Sequence, residues 1–221
     1  MELITEEVFL LAGFPRNAIN VYLIGDVLLD AGTRFDRGRI LRQVAGRTVR
    51  AHALTHAHPD HQGASHAVCE TLNIPFWVGE RDAEAAESGD MRRAMPPGLL
   101  GNLSRGFMVG PGHPVARRLK ESDEVGGFSV IETPGHSPGH LSYWRARDRV
   151  LIAGDVVFNL NPFIGTAGLQ MPPNLFTVDP RQNRDSARKL AALKPKIICF
   201  GHGAVLCDGA QFAEFIASLP F

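Results

Sequence analysis

Between positions 56 and 61 the chain reads His-Ala-His-Pro-Asp-His, which places three imidazoles and a carboxylate within six residues. In extended backbone, side chains two apart project to the same side, so His56 and His58 can grip one ion together. Pro59 suits the first turn of a helix, and a helix starting there swings Asp60 and His61 toward a neighbouring position. Three further candidates follow short glycine-containing turns: His136 in Thr-Pro-Gly-His, Asp155 in Ala-Gly-Asp and His202 in Gly-His-Gly. Imidazole combined with carboxylate is a donor set for zinc, and it also suits iron and manganese. His56, His58, Asp60, His61, His136, Asp155 and His202 are too many ligands for one tetrahedral ion and suit two ions that share a bridge.

Each of these residues must be held by something rigid, and the sequence supplies apolar, β-prone runs directly before them. A strand is expected at 51–55 ahead of His56, at 128–132 ahead of His136, at 150–153 ahead of Asp155 and at 196–200 ahead of His202. Strand C-termini are where open sheets present functional groups, and Gly lets backbone approach a ligand closely. Other strands are expected at 8–12, 18–24, 27–30, 75–78 and 141–145. Helices are expected at 35–45, with Phe35, Ile40, Leu41 and Val44 as its buried stripe, and at 64–72, 80–95, 182–193 and 209–218. Residues 96–118 and 159–180 lack periodicity and read as irregular excursions. Strands and helices mix in both halves, so two sheets faced by helices fit better than one doubly wound parallel sheet.

Lys+Arg and Asp+Glu both number 23 in a chain of 221 residues, so no net charge gathers nucleic acid or an anionic membrane. The hydrophobic fraction is 44% and the charged fraction 21%, an ordinary globular composition. The start Met-Glu-Leu-Ile-Thr-Glu-Glu lacks the positive charge of a signal peptide, and no apolar run approaches the roughly 20 residues that span a bilayer. Cys69, Cys199 and Cys207 lack paired CxxC spacing and are expected as reduced thiols of a cytoplasmic protein, with Cys199, in the apolar run Ile197-Ile198-Cys199-Phe200, buried and inert. The expected partner is a small molecule, with neither nucleic acid nor membrane, and the sequence leaves the oligomeric state open.

Five segments together resemble the metallo-β-lactamase superfamily, and most closely its glyoxalase II-like and lactonase-like hydrolases. They are Leu29-Asp30-Ala31-Gly32, the run from Thr55 to Gly63, the run from Thr133 to His140, Ala153-Gly154-Asp155 and Gly201-His202-Gly203. The resemblance implies an α+β fold over residues 1–221, a four-layer αβ/βα sandwich with metals at one edge between two mixed sheets. It also implies that His56, His58 and His136 hold one zinc, that Asp60, His61 and His202 hold a second, and that Asp155 bridges them. Asp30 would support the site by orienting a ligand, and His140, one Pro-Gly turn past His136, has a similar structural part. Asp155 as a bridge separates this chain from the true zinc β-lactamases, which generally lack it. Glyoxalase II enzymes carry a C-terminal helical region that binds glutathione. Here 19 residues follow His202, so the expected substrate is not a glutathione thioester. His52, His66 and His113 are expected as ordinary surface or core side chains.

The implied activity is hydrolysis of a small ester-like carbonyl compound, a thioester, lactone or lactam. Two divalent ions against Asp60, Asp155 and a bridging hydroxide leave a centre of about +1, and water on such an ion ionises near neutral pH. Asp60 is expected to orient that hydroxide or pass on its proton. A mononuclear-iron persulfide dioxygenase and, further off, a phosphodiesterase or nuclease of the same superfamily are the alternatives. Substrate choice is expected in residues 80–118 and 159–180, the second offering Phe163, Ile164, Leu169, Met171, Leu175, Phe176 and Val178 as an apolar wall.

Overall fold

The computed structural model describes residues 1–96, 108–161 and 164–220. The first half of the chain builds one seven-stranded sheet from β1 (Glu2–Thr5), β2 (Val8–Leu11), β3 (Val21–Ile24), β4 (Val27–Leu29), β5 (Ala51–Ala53), β6 (Phe76–Gly79) and β7 (Val115–Leu119), in that spatial order. The first four strands form antiparallel hairpins, while β4 to β7 run parallel and need crossovers. The crossovers contain α1 (Arg37–Val44), then α2 (Pro59–Gln62) with α3 (Ser65–Leu72), then α4 (Ala83–Ser88) followed by a 3₁₀ turn at Met91–Arg93.

The second half builds a five-stranded sheet from β8 (Glu124–Val125), β9 (Phe128–Glu132), β10 (Leu141–Arg145), β11 (Val150–Gly154) and β14 (Ile197–Phe200), ordered β14-β11-β10-β9-β8. Between β11 and β14 lie a separate ribbon of β12 (Phe158–Leu160) and β13 (Ala167–Gln170), then α5 (Pro180–Ala192). The helix α6 (Gly209–Ala217) follows β14. Both last helices open on an aspartate cap: Asp179 accepts from the Arg181 and Gln182 N–H groups, and Asp208 from those of Ala210 and Gln211.

Alternation along the strands sorts side chains into layers. On β3, Tyr22 and Ile24 meet the other sheet, joined by Phe128, Tyr143 and Ile152, while Val21 and Leu23 face Ile40 and Val68 of the helices. On β11, Val150 and Ile152 face the seam between the sheets, and Leu151 and Ala153 face Leu190 and Phe212. The result is helices, sheet, sheet, helices: an α+β sandwich of four layers. No helix among the described residues is long and apolar enough to cross a membrane.

Several sequence expectations are corrected here. Strand β7 lies inside the stretch read as irregular, because Arg117 and Arg118 break its apolar pattern on a partly exposed edge. The ribbon strand β13 lies inside the second excursion, and β1 was not expected at all. The charged helix expected over 80–95 stops at Ser88, where Gly89 takes a left-handed conformation, φ +72°. Phe35 precedes α1 and is 60% exposed rather than part of its buried stripe, whereas Ile40 and Val44 are buried as expected. Residues 97–107 and Phe163 fall outside the described residues.

His52 points from β5 toward the helices, stacked on Phe76 with ring centroids 5.1 Å apart. Its Nδ1–H donates to the Leu28 carbonyl at 3.1 Å, so its Nε2 accepts the Ser65 hydroxyl at 2.8 Å. Burial lowers its pKa to about 4. From the unfolded value near 6.5 down to about 4, the unfolded chain takes up a proton that the folded chain refuses, so stability falls as pH falls. His52→Gln is expected to flatten the slope of unfolding free energy over that window by up to about 1.4 kcal/mol per pH unit. Urea titrations across the window check this, and superimposable slopes would rule His52 out as the cause.

Candidate metal centre

The site is assembled from strand ends. β4 and β5 run parallel and deliver Asp30 and the Thr55–His61 run. β9 and β11 are both antiparallel to β10, and β14 is parallel to β11, so β9, β11 and β14 point the same way. Their ends deliver His136, Asp155 and His202 to the same edge of the seam. Three overlapping clusters result: His56, His58 and His136; His56, His61 and Asp155; Asp60, His61 and His202. Within each, the donor atoms lie within 4.8 Å of one another.

Asp155 sits in the middle. Its Oδ2 lies 3.1 Å from His202 Nε2, 3.3 Å from His61 Nε2, 3.4 Å from His136 Nε2 and 3.8 Å from His56 Nε2. Asp60 Oδ2 lies 3.4 Å from His202 Nε2 and 3.9 Å from His61 Nε2. All seven residues anticipated from the sequence thus come together, and all but Asp60 are buried.

The hydrogen bonds behind these side chains fix which imidazole nitrogen carries the proton. The Asp30 carboxylate accepts the Thr55 N–H at 2.7 Å, the Thr55 hydroxyl at 2.8 Å and His61 Nδ1–H at 2.9 Å. With its own proton committed, Thr55 Oγ1 accepts from His56 Nδ1 at 3.0 Å. His58 donates Nε2–H to the Ala94 carbonyl at 2.7 Å. Thr177 gives its proton to the Pro173 carbonyl at 3.0 Å and accepts His136 Nδ1–H at 3.3 Å. His202 Nδ1–H donates to the Ala18 carbonyl. In the neutral ring each remaining nitrogen is a lone pair: Nδ1 of His58 and Nε2 of the other four. Those of His56 and His136, with Asp155 Oδ1, are buried without any hydrogen-bond partner. Buried lone pairs converging without a donor are costly, and divalent cations are the species that such a nest fits.

The carboxylates and imidazoles of the cluster also act on one another, and an ion at His202 would displace a proton from it. Burial opposes ionisation of Asp155, but His202 and His61 outweigh it and hold the carboxyl well below its ordinary value. Burial likewise opposes protonation of His202, yet Asp155 and Asp60 raise it to about 10. His58 is driven the other way, to about 3, by burial and by His136.

Asp30 occupies the left-handed region at φ +61°, an unfavourable conformation for most residues that aspartate tolerates. His140 lies beside His56, with ring centroids 5.1 Å apart, but both of its nitrogens turn to other partners. Its Nε2 accepts the backbone N–H of Asp155 at 3.0 Å, and its Nδ1–H donates to Thr133 Oγ1 at 2.8 Å. Thr133 then donates to Ser142, and Ser142 to the Ala153 carbonyl, so the whole relay is oriented. His140 therefore aims the Asp155 backbone.

Other supports had no sequence signal. Asp82, which the sequence did not single out, is 1% exposed and ties the two ligand loops together. It accepts the Ala57 N–H at 3.0 Å, the Ser137 hydroxyl at 2.6 Å and the Gly139 N–H at 2.7 Å. Asp82→Ala leaves three buried donors unpaired, and a loss of about 3 kcal/mol or more is expected in denaturant unfolding. Asn20 pins the His202 loop by donating to the Phe200 and Gly203 carbonyls at 2.9 and 2.7 Å. Thr55 was the one support adjacent to a recognised ligand, where its position alone could have flagged it.

A cleft opens over the cluster. Its floor includes His58, Asp60, His136, Asp155 and His202, and its apolar wall is Met95, Met108, Phe158 and Phe176. Of the apolar series expected from 159–180, Phe176 alone among the described residues lines the cleft. Leu169 and Met171 pack on the outer core beside α5 and α6, and Ile164, Leu175 and Val178 are exposed.

Comparison with known proteins agrees with this architecture. The family model described as the metallo-beta-lactamase superfamily matches residues 15–202. The probable metallo-hydrolase YflN of Bacillus subtilis (strain 168) is 32% identical over 234 residues, covering 94% of this chain and 88% of that protein. A hydroxyacylglutathione hydrolase of Rhodospirillum rubrum is 31% identical over 157 residues, 67% of this chain and 46% of that protein. The crystal structure of TTHA1623 in a di-iron-bound form superposes with a TM-score of 0.70 at 28% identity, covering 94% of this chain and 97% of that one. With the sandwich, the strand-end donors and these matches in agreement, the chain belongs to the metallo-β-lactamase superfamily.

Proposed function

We propose that this protein is a metal-dependent hydrolase with two zinc ions, acting on a small ester-like carbonyl compound: a thioester, a lactone or a lactam. The observation that carries the reading is Asp155, one oxygen of which lies 3.1 to 3.8 Å from the Nε2 atoms of four histidines. Those histidines come from both outer clusters, so a single carboxylate is placed to serve two ions. On this reading His56, His58 and His136 hold one ion, Asp60, His61 and His202 hold the other, and Asp155 joins them. When bound, such a pair supplies a water acidified to near neutrality and a Lewis acid for the carbonyl oxygen.

The chain supplies the rest. Asp60 is 24% exposed at the cleft, and His61 and His202 hold its carboxyl below the ordinary range against the effect of burial. An ionised carboxylate open to the cleft is placed to orient the attacking water. Asp30, Thr55, Thr177 and the carbonyls of Ala18 and Ala94 orient the imidazole rings, each with its other nitrogen turned inward. Met95, Met108, Phe158 and Phe176 give an acyl chain or ring an apolar surface and displace water from it. Relatives named metallo-hydrolase and hydroxyacylglutathione hydrolase support hydrolysis, and the di-iron neighbour keeps iron among the metals to be tested.

The test is metal analysis of the purified protein together with a panel of thioesters, lactones and β-lactams on zinc-, manganese- and iron-loaded samples. Two ions per chain and turnover of at least one substrate class are expected. One iron per chain with oxygen uptake on a persulfide, and no hydrolysis, would overturn the reading.

A further inference from the structure

Away from the centre, a second group of donors meets on the helical face of the first sheet. His66 lies in the first turn of α3 and Glu70 one turn later, so the two share a face of the helix. His113 comes from the segment leading into β7, its backbone N–H held by the Ala86 carbonyl at 3.2 Å. His66 Nδ1 and His113 Nδ1 are 3.2 Å apart, and His113 Nδ1 is 3.8 Å from Glu70 Oε1. The two rings meet edge to face, with centroids 5.3 Å apart.

We propose that His66, Glu70 and His113 form a separate binding site for one zinc-class divalent ion. Ligands at about 2.05 Å in a tetrahedral shell are separated by about 3.3 Å, close to the observed distance between the two Nδ1 atoms. Both imidazoles turn the same type of nitrogen toward one point, and the carboxylate of Glu70, 64% exposed, has room to close the remaining gap. His113 is only 12% exposed and packs against Phe76, which fixes its ring. Burial and the neighbouring His66 push its pKa below the ordinary value, so its lone pair is available at neutral pH. Two imidazoles and a carboxylate leave a fourth position for water, open to solvent on the Glu70 side.

The ion has a mechanical consequence. It ties α3 to the stretch of chain between Met108 and β7, and Met108 forms part of the cleft wall. The site is therefore a staple beside the substrate pocket, made from residues that contribute nothing to the centre itself.

The experiment is a zinc titration of the metal-loaded protein, with bound zinc counted after buffer exchange and its ligands read by X-ray absorption. Wild type is expected to take up one more equivalent than His66→Gln, and that equivalent should show two imidazoles in its shell. Glu70→Gln is expected to weaken it by about tenfold or more, since loss of a ligand costs at least what loss of a supporting partner costs. Both variants should keep the wild-type content of tightly held metal and the wild-type hydrolase activity. Equal zinc uptake by wild type and both variants overturns the proposal, as does failure of wild type to bind the additional ion at micromolar free zinc. Should His66→Gln fail to fold, Glu70→Gln decides alone, because an exposed carboxylate is dispensable for folding. The count is read from bound metal, so the result stands whatever the centre hydrolyses.

Discussion

Asp155→Ala is expected to abolish hydrolysis, with kcat/KM falling by at least about 10³, equivalent to about 4 kcal/mol of lost transition-state stabilisation. The side chain lies among four imidazole nitrogens and is 2% exposed, whereas the other carboxylate of the cluster, Asp60, reaches only His61 and His202. Without it the donors of the first half of the chain still form a cluster with His136 and His202, but nothing is shared between them. Metal content is therefore expected to fall from two ions per chain to one or fewer. Asp155→Asn separates charge from shape: it retains one carbonyl oxygen and the packing, and should lose nearly as much activity while folding normally. An Asp155→Ala enzyme with full activity and two ions would remove the bridge from the proposal and leave two independent sites.

The second large effect involves a residue with no functional group. At Gly201 an added methyl would collide with Asp155 Oδ1 and lie 2.8 Å from His61 Cε1. The loop cannot retreat, because the Gly201 carbonyl accepts the Asn20 N–H at 2.8 Å and its own N–H donates to the Gly154 carbonyl at 3.0 Å. Gly201→Ala is expected to displace Asp155 and reduce kcat/KM by about 10² or more, since a shift of about 1 Å at a catalytic constellation has effects of that size. Overpacking should also lower stability by about 1–3 kcal/mol. The diagnostic comparison is with Gly46→Ala, where no atom lies within 4 Å of the added methyl. Gly46 has φ +77°, so its replacement strains the backbone and lowers stability, but it should leave the activity of the folded enzyme intact.

The two variants show why the centre was legible from sequence while much around it was not. His56, His58, His136, Asp155 and His202 advertise themselves, since imidazole or carboxylate after an apolar strand has few structural explanations. The atoms that aim them belong to residues without such a signature. A backbone carbonyl at Ala18 or Ala94 can be any residue's, and Asp82 is one acidic residue among many in a charged stretch. Tertiary folding alone brings Thr177 under His136. The same holds for the fold. Buried strands such as β3 and β11 are apolar on both faces, whereas β7 carries two arginines on a half-exposed edge and imitates a loop. The cleft wall draws on both stretches expected to carry it, Met95 and Met108 from 80–118 and Phe176 from 159–180, with Phe158 added from the strand just before the second; which side chain of each stretch turns inward was not legible.

The division of the chain between its two sheets has one further consequence. Every strand through β7, which ends at Leu119, belongs to one sheet, and β8, which begins at Glu124, opens the half that builds the other sheet and the β12–β13 ribbon. The short turn at 120–123 is the covalent link between them. His56, His58, Asp60 and His61 lie before that turn and His136, Asp155 and His202 after it, so neither half owns a complete cluster. Cut at that turn, the protein becomes two fragments that are each chemically silent, and recovered turnover would report that they had found one another. The centre is thus a natural two-part reporter, in which chemistry exists only while the halves are docked.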